Sequence, residues 1–266
     1  MTPQNVVGRF FDVTGGQVYA HVREGDGLPL VFLHYWGGSR RTWLPVLQHL
    51  DPGQAFVAYD QRGWGESAGL PGPYGLDRLA DDAQRVVEAL GHPRHVLVGH
   101  SMGGKVAQLV AARRPAGLAG VVLVAPAPAA PVGVTEQLQE EVGRAYESEA
   151  SVLRSVEVML TDGGLSPELR RQVVEDSLRA GDEARLAWPR GGLVQDVSAG
   201  LGDVEVPVLV LAGRHDKVDP PAVLTEHLLP LLPTASLTVL ENTGHLSPLE
   251  VPDQVAAHIS AFVAQL

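Results

Sequence analysis

Val96-Leu97-Val98-Gly99-His100-Ser101-Met102-Gly103-Gly104-Lys105-Val106 is the stretch whose reading decides the fold of this chain. A short, largely β-branched run ends in Gly-x-Ser-x-Gly, and apolar residues at helical spacing (Val106, Leu109, Val110) follow at once. A serine held between strand and helix must adopt a strained backbone. Only small residues two positions to either side, here Gly99 and Gly103, let strand and helix come close enough. Such a turn lifts the hydroxyl clear of the sheet, and the helix N-terminus aims the Met102 N–H at any oxyanion that forms beside it. Ser101 is therefore the candidate nucleophile.

Outward from this stretch the chain alternates strands with helices. Residues 29–34 and 120–124 are apolar almost without interruption, as strands buried on both faces are. Residues 55–59 and 207–213 repeat the pattern, and 236–240 supplies a last strand. Between them lie helical patterns through Trp43, Val46, Leu47 and Leu50, through Leu76 to Leu90 with Gly91 as the stop, near residues 220–232, and through Val255, Ile259, Phe262 and Val263. Residues 9–13 and 17–22, flanking Thr14-Gly15-Gly16, read as an N-terminal hairpin. The alternation stops at about residue 127 and resumes at 204. The interval reads as helical: one piece after Thr135, one around 151–161, and one opened by Ser166 with Pro167 at the first helical position. Val124 to Pro131 reads as a stiff Pro/Ala connector. This predicts a mostly parallel, eight-stranded α/β sheet covered on both faces, with a core of residues 1–126 and 204–266 and a helical insertion over 127–203.

A length of 266 residues with 45% hydrophobic content supports one substantial core. The absence of cysteine excludes disulfides, a thiolate metal site and a cysteine nucleophile. A formal net charge of −11 argues against nucleic acid or an anionic membrane as partner. Met1 to Asn5 carries neither the basic region nor the apolar run of a signal peptide, and no apolar run approaches the roughly 20 residues of a membrane span. A cytoplasmic protein acting on a small molecule is the expectation; composition sets no oligomeric state.

A serine hydroxyl needs a base. Of the ten histidines, His100 leaves the turn in a different direction from Ser101 and is expected to pack or hydrogen-bond locally. His245, in the Asn242 to Pro248 loop after the last strand, can reach over the sheet. The base in turn needs an acid to set its tautomer. The loop after Ala212 offers Asp216 and Asp219; Asp219, before Pro220-Pro221, reads as a helix N-cap, which leaves Asp216. The order Ser101, Asp216, His245 is the one this architecture requires.

With Leu33-His34…Gly37-Gly38, Tyr59 to Ser67, Gly99-His100-Ser101-Met102-Gly103-Gly104, Gly213…Asp216 and Gly244-His245…Glu250…Pro252, the chain resembles the α/β-hydrolase fold superfamily, in its cap-bearing, serine-nucleophile branch of small esterases and haloperoxidase-like enzymes. The resemblance implies a second oxyanion N–H at Trp36, the position after the usual His-Gly pair, although Tyr35 stands where glycine is usual. It makes the Asp60 to Glu66 stretch a brace near the site, and residues 127–203 a cap that helps form the substrate pocket. Candidate lining residues are Tyr35, Trp36, Tyr146, Met159 and Trp188, with Leu153, Val156, Leu160, Leu186 and Val194 as further candidates, most of them expected to pack cap helices together. The implied activity is hydrolysis of small to medium, largely apolar carboxylic esters through an acyl-enzyme, with no metal or organic cofactor. A perhydrolase-type haloperoxidase, a carbon–carbon bond hydrolase or a hydroxynitrile lyase would use the same three residues. Perhydrolase-type members carry proline after the oxyanion residue, where this chain has Gly37. A receptor that kept the hydrolase fold is the reading from another class.

Overall fold

The computed structural model describes residues 5–266; the N-terminal reading of Met1 to Gln4 lies outside them. Eight strands form one sheet: β1 (Val7–Val13), β2 (Gly16–Arg23), β3 (Leu30–Leu33), β4 (Phe56–Tyr59), β5 (His95–His100), β6 (Leu118–Val124), β7 (Val208–Gly213) and β8 (Ala235–Leu240), in spatial order β1-β2-β4-β3-β5-β6-β7-β8. The first hairpin and the β2–β4 pair are antiparallel, and every pair from β4 onward is parallel. Strands β3, β4, β5 and β7 are buried along their whole length, which is why their sequences lack polar alternation.

Both faces are covered. Helices α1 (Leu44–His49), α2 (Leu76–Leu90) and α3 (Met102–Ala112) follow β3, β4 and β5. On one side Leu79, Ala83, Val106 and Val110 pack under the sheet; on the other, Trp43, Leu47, Val255 and Ile259 do. Gly91 ends α2 in the left-handed conformation, as its position predicts.

Four helices lie between β6 and β7: α4 (Glu136–Arg144), α5 (Glu149–Ser155), α6 (Pro167–Leu178) and α7 (Asp182–Ala187). Thr135, Ser148 and Ser166 cap the first three through their side chains. The expectation of three helical pieces missed α7 and the wider turn of Trp188–Gly192 after it. The inserted helices are tied to the loop after β3. The Ser39 and Ser177 hydroxyls donate to Asp176 and to the Gly37 carbonyl, and Arg41 pairs with Asp176. After β7 come α8 (Pro221–His227), α9 (Ser247–Glu250) and α10 (Pro252–Val263). No helix among the described residues is long and apolar enough to cross a membrane.

The order reverses around β3: the chain passes from β3 to β4 on one side and then to β5 on the other. The carboxyl ends of strands at such a switch point leave a crevice. Register fills it, because Leu33 lies beside Gly99, His100 beside Val124, Val124 beside Leu211, and Gly213 beside Leu240. The loops after β3, β5, β7 and β8 therefore open at one place.

Candidate active site

Ser101 takes a φ of 54° and a ψ of −115°, a conformation that costs a residue with a side chain on the order of 1–3 kcal/mol. The two glycines of the motif permit it by close approach. A Cβ on Gly99 would strike the Gly103 carbonyl, and one on Gly103 would strike the Leu33 and His34 carbonyls.

The Ser101 hydroxyl donates to His245 Nε2 at 2.8 Å, and His245 Nδ1–H donates to Asp216 Oδ2 at 2.8 Å. The other Asp216 oxygen accepts the Val218 and Asp219 amides at 2.8 and 3.0 Å, which orients the carboxylate. Burial alone would raise the Asp216 pKa, but the His245 charge, its hydrogen bond and the two amides hold it below the usual value. Burial likewise pushes His245 down, yet the Asp216 carboxylate outweighs it and leaves the imidazole more basic than an ordinary histidine. His245 is carried on a braced loop. Glu250 accepts the Gly244 N–H at 2.9 Å and the Thr243 hydroxyl at 3.1 Å, and His100 Nε2–H donates to the His245 carbonyl at 2.8 Å. Burial drives His100 down to about 3, so it stays neutral and serves as a brace.

The loop after β3 makes a turn in which the Gly38 N–H bonds to the Tyr35 carbonyl, with Gly37 at a φ of 89°. His34 pins it: its Nδ1–H donates to the Tyr35 carbonyl at 2.7 Å, and its Nε2 accepts the Gln61 amide at 3.0 Å. Among the described residues neither the Trp36 nor the Met102 amide has an acceptor. Burial raises the Tyr35 phenol, which faces Ser177. Asp60 takes the Arg40 and Glu66 amides and pairs with the Arg40 guanidinium. Arg62 pairs with Asp82 of α2 at 2.8 Å, and both are 1% exposed. The Asp60 to Glu66 stretch thus braces the surroundings of the site.

A cavity of about 450 Å³ opens on Ser101 and His245. Of the candidates named from the sequence, Tyr35, Trp36, Tyr146, Met159, Leu160 and Trp188 wall it. Leu153, Val156, Leu186 and Val194 stand outside it. Two features escaped sequence reasoning. The Pro/Ala connector supplies Ala127, Pro128, Ala130 and Pro131 to the wall. Lys105 and Asp219 also reach the cavity. The reading of Asp219 as a helix cap is corrected: the N-cap of α8 is Pro220, no side chain caps it, and Asp219 lies one residue too early to reach its free amides. The residues themselves held one signal, a charged side chain a helical turn beyond Ser101 on an otherwise uncharged stretch of helix.

A profile of the alpha/beta hydrolase fold matches residues 29–252. The AB hydrolase superfamily protein YisY of Bacillus subtilis is 26% identical over 248 residues, spanning 90% of this chain and 92% of its own. A non-heme haloperoxidase of Rhodococcus erythropolis is 29% identical over 259 residues, spanning 90% and 93%. Among solved structures, a thermophilic esterase from Thermogutta terrifontis superposes with a TM-score of 0.82 at 26% identity over 98% of each chain.

Proposed function

This chain belongs to the alpha/beta hydrolase fold family, and on that premise we propose that it is a serine hydrolase of carboxylic esters. The observation that carries the reading is the relay Ser101–His245–Asp216, two hydrogen bonds of 2.8 Å facing a cavity beside two unspent amides. In this reading Ser101 attacks the ester carbonyl while His245 Nε2 takes its proton. The Trp36 and Met102 amides receive the oxyanion. As the tetrahedral adduct collapses, His245 returns the proton to the leaving alkoxide. Water then repeats the sequence on the acyl-enzyme, releasing the acid and freeing Ser101. Asp216 holds the imidazole in the tautomer that both halves need. Residues 127–203 act as a cap that walls the pocket, and the protein works in the cytoplasm on a small molecule without nucleic acid or membrane as partner.

Gly37 weighs against the perhydrolase alternative. Its φ of 89° is closed to proline, whose ring holds φ near about −65°, so this turn differs from the proline-bearing one. The reading is tested with a panel of p-nitrophenyl esters and with Ser101→Ala. Turnover of the panel, abolished by several orders of magnitude in a folded Ser101→Ala protein, is expected. Near-normal turnover in that variant would remove Ser101 from the mechanism, and acid plus alcohol as products separates ester hydrolysis from lyase or carbon–carbon chemistry.

A further inference from the structure

The cavity holds a second pair of buried, chemistry-bearing side chains that the acyl-transfer relay leaves unused. Lys105 follows Ser101 by one turn of α3 and is 1% exposed. Its Nζ donates to the Gly192 carbonyl at 3.1 Å and stands 5.9 Å from the centre of the Trp188 ring. That carbonyl occupies one of the three ammonium N–H groups. Asp219 enters from the loop between β7 and α8 and is 8% exposed. Its amide is spent on Asp216, and its carboxyl makes no hydrogen bond with any described residue. Both side chains wall the cavity that Ser101 opens into, among Trp36, Tyr146, Leu160 and Trp188.

A buried ammonium and a buried carboxyl with unspent hydrogen-bonding capacity are costly in apolar surroundings. A purely structural lysine, tying α3 to the turn after α7, accounts for the bond to Gly192 and leaves the unbonded Asp219 carboxyl of the same cavity without a reason. A ligand that brings acceptor oxygens satisfies both. We propose that Lys105 and Asp219 form a polar subsite that binds a carboxylate carried by the substrate, so that the preferred substrates are esters bearing a free carboxylate on one side of the scissile bond. This rests on the ester-hydrolase reading of the same site.

The pair sits among charges of both signs. Burial pushes Asp219 up to about 7; Asp216 in its own loop adds to this, while His245 from the loop after β8 and Lys105 from α3 oppose it. Burial lowers Lys105 to about 8, against the pull of Asp219 and Asp196. Lys217, its Nζ bonded to the Val158 carbonyl, and Glu141 of α4 also wall the cavity. Below pH 7 the ammonium and the protonated Asp219 both donate to the guest, whereas above it the ionised Asp219 repels it. The preference for carboxylated esters therefore declines as pH rises through neutrality.

The test compares kcat/KM, corrected for alkaline lability, within two ester pairs at pH 6.5. 4-Nitrophenyl hydrogen glutarate against 4-nitrophenyl valerate places the carboxylate on the acyl side; 4-acetoxybenzoate against 4-methylphenyl acetate places it on the leaving group. A preference of tenfold or more in one pair is expected. It should fall at least tenfold in Lys105→Met, and in Asp219→Asn its dependence on pH should change, because only Lys105, whose pKa Asp219 no longer raises, then titrates in the subsite. Ratios near one in both pairs, or a ratio indifferent to Lys105→Met, overturn the subsite while leaving ester hydrolysis standing. Should Lys105→Met not fold, an unaltered pH profile in Asp219→Asn overturns it instead. Failure to turn over any of the four esters overturns the hydrolase reading itself.

Discussion

The Trp36 ring stacks on Tyr146 with centroids 4.1 Å apart, and its indole Nε1–H donates to the Arg185 carbonyl at 2.8 Å. The residue whose amide we assign to the oxyanion is thus, through its side chain, the joint between the loop after β3 and the inserted helices. Trp36→Ala keeps the amide and removes the joint. It is expected to raise KM for bulky acyl groups more than it lowers kcat for acetate esters. One lost oxyanion donor costs about 2.7–4 kcal/mol, so a drop of that size on a small ester would show that the loop itself had moved.

Tyr35→Phe is expected to lower kcat on a small ester by less than tenfold, because the donors assigned to the oxyanion are the Trp36 and Met102 amides and the phenol faces Ser177 of the inserted helices. A fall of two or more orders of magnitude would make the hydroxyl an oxyanion donor and displace the Trp36 amide.

Gly37→Ala acts on the same turn from the opposite direction. The new Cβ would collide with the Tyr146 ring, and a φ of 89° strains any residue other than glycine. The turn must shift and carry the Trp36 amide with it. A loss of about 10²–10³ in kcat on every ester, with far-UV circular dichroism preserved, is expected.

The pH profile reports the relay. Attack requires neutral His245, whose pKa is raised above 6.5, so the ascending limb of kcat/KM is expected to have its midpoint above pH 6.5. Asp216→Asn removes the carboxylate that raises it. The limb should then move to lower pH, while the plateau falls by several orders of magnitude because the tautomer is lost. A limb that stays in place would show that another group titrates there.

Arg62→Met strands Asp82 in the core without its partner. A stability loss of about 3–5 kcal/mol at neutral pH is expected from denaturant melts. Burial already raises the Asp82 pKa, with Arg62 opposing it. Without Arg62 the folded state binds the Asp82 proton more tightly than the unfolded chain does. The loss should therefore shrink as pH falls toward the unfolded carboxylate value near about 4, and a pH-independent loss would argue for packing alone.

Much of this molecule is written locally. The elbow at Ser101, the buried strands and the helix stops depend on neighbours within a few residues: glycines where a Cβ would strike backbone, β-branched runs, a left-handed Gly91. Strand–helix alternation implies a parallel sheet whose carboxyl ends share one edge, so the loops carrying Trp36, Asp216 and His245 were legible as candidates on that edge, while the strand order was not. The assignment of Asp219 to a helix cap failed because Asp-Pro-Pro fits either of two local roles, and the start of α8 at Pro221 depends on packing that a dipeptide does not encode. Asp82 interrupts the apolar face of α2 because Arg62, 20 residues earlier, comes to rest against it. The Pro/Ala connector and Lys105 became cavity wall because the turn after α7 closes over α3, bringing Gly192 to Lys105 across 87 residues. Local sequence determined what each segment is. Which buried charges meet, and which stay open to a guest, was decided by side chains whose neighbours arrive from distant segments, and only the folded chain sets those distances.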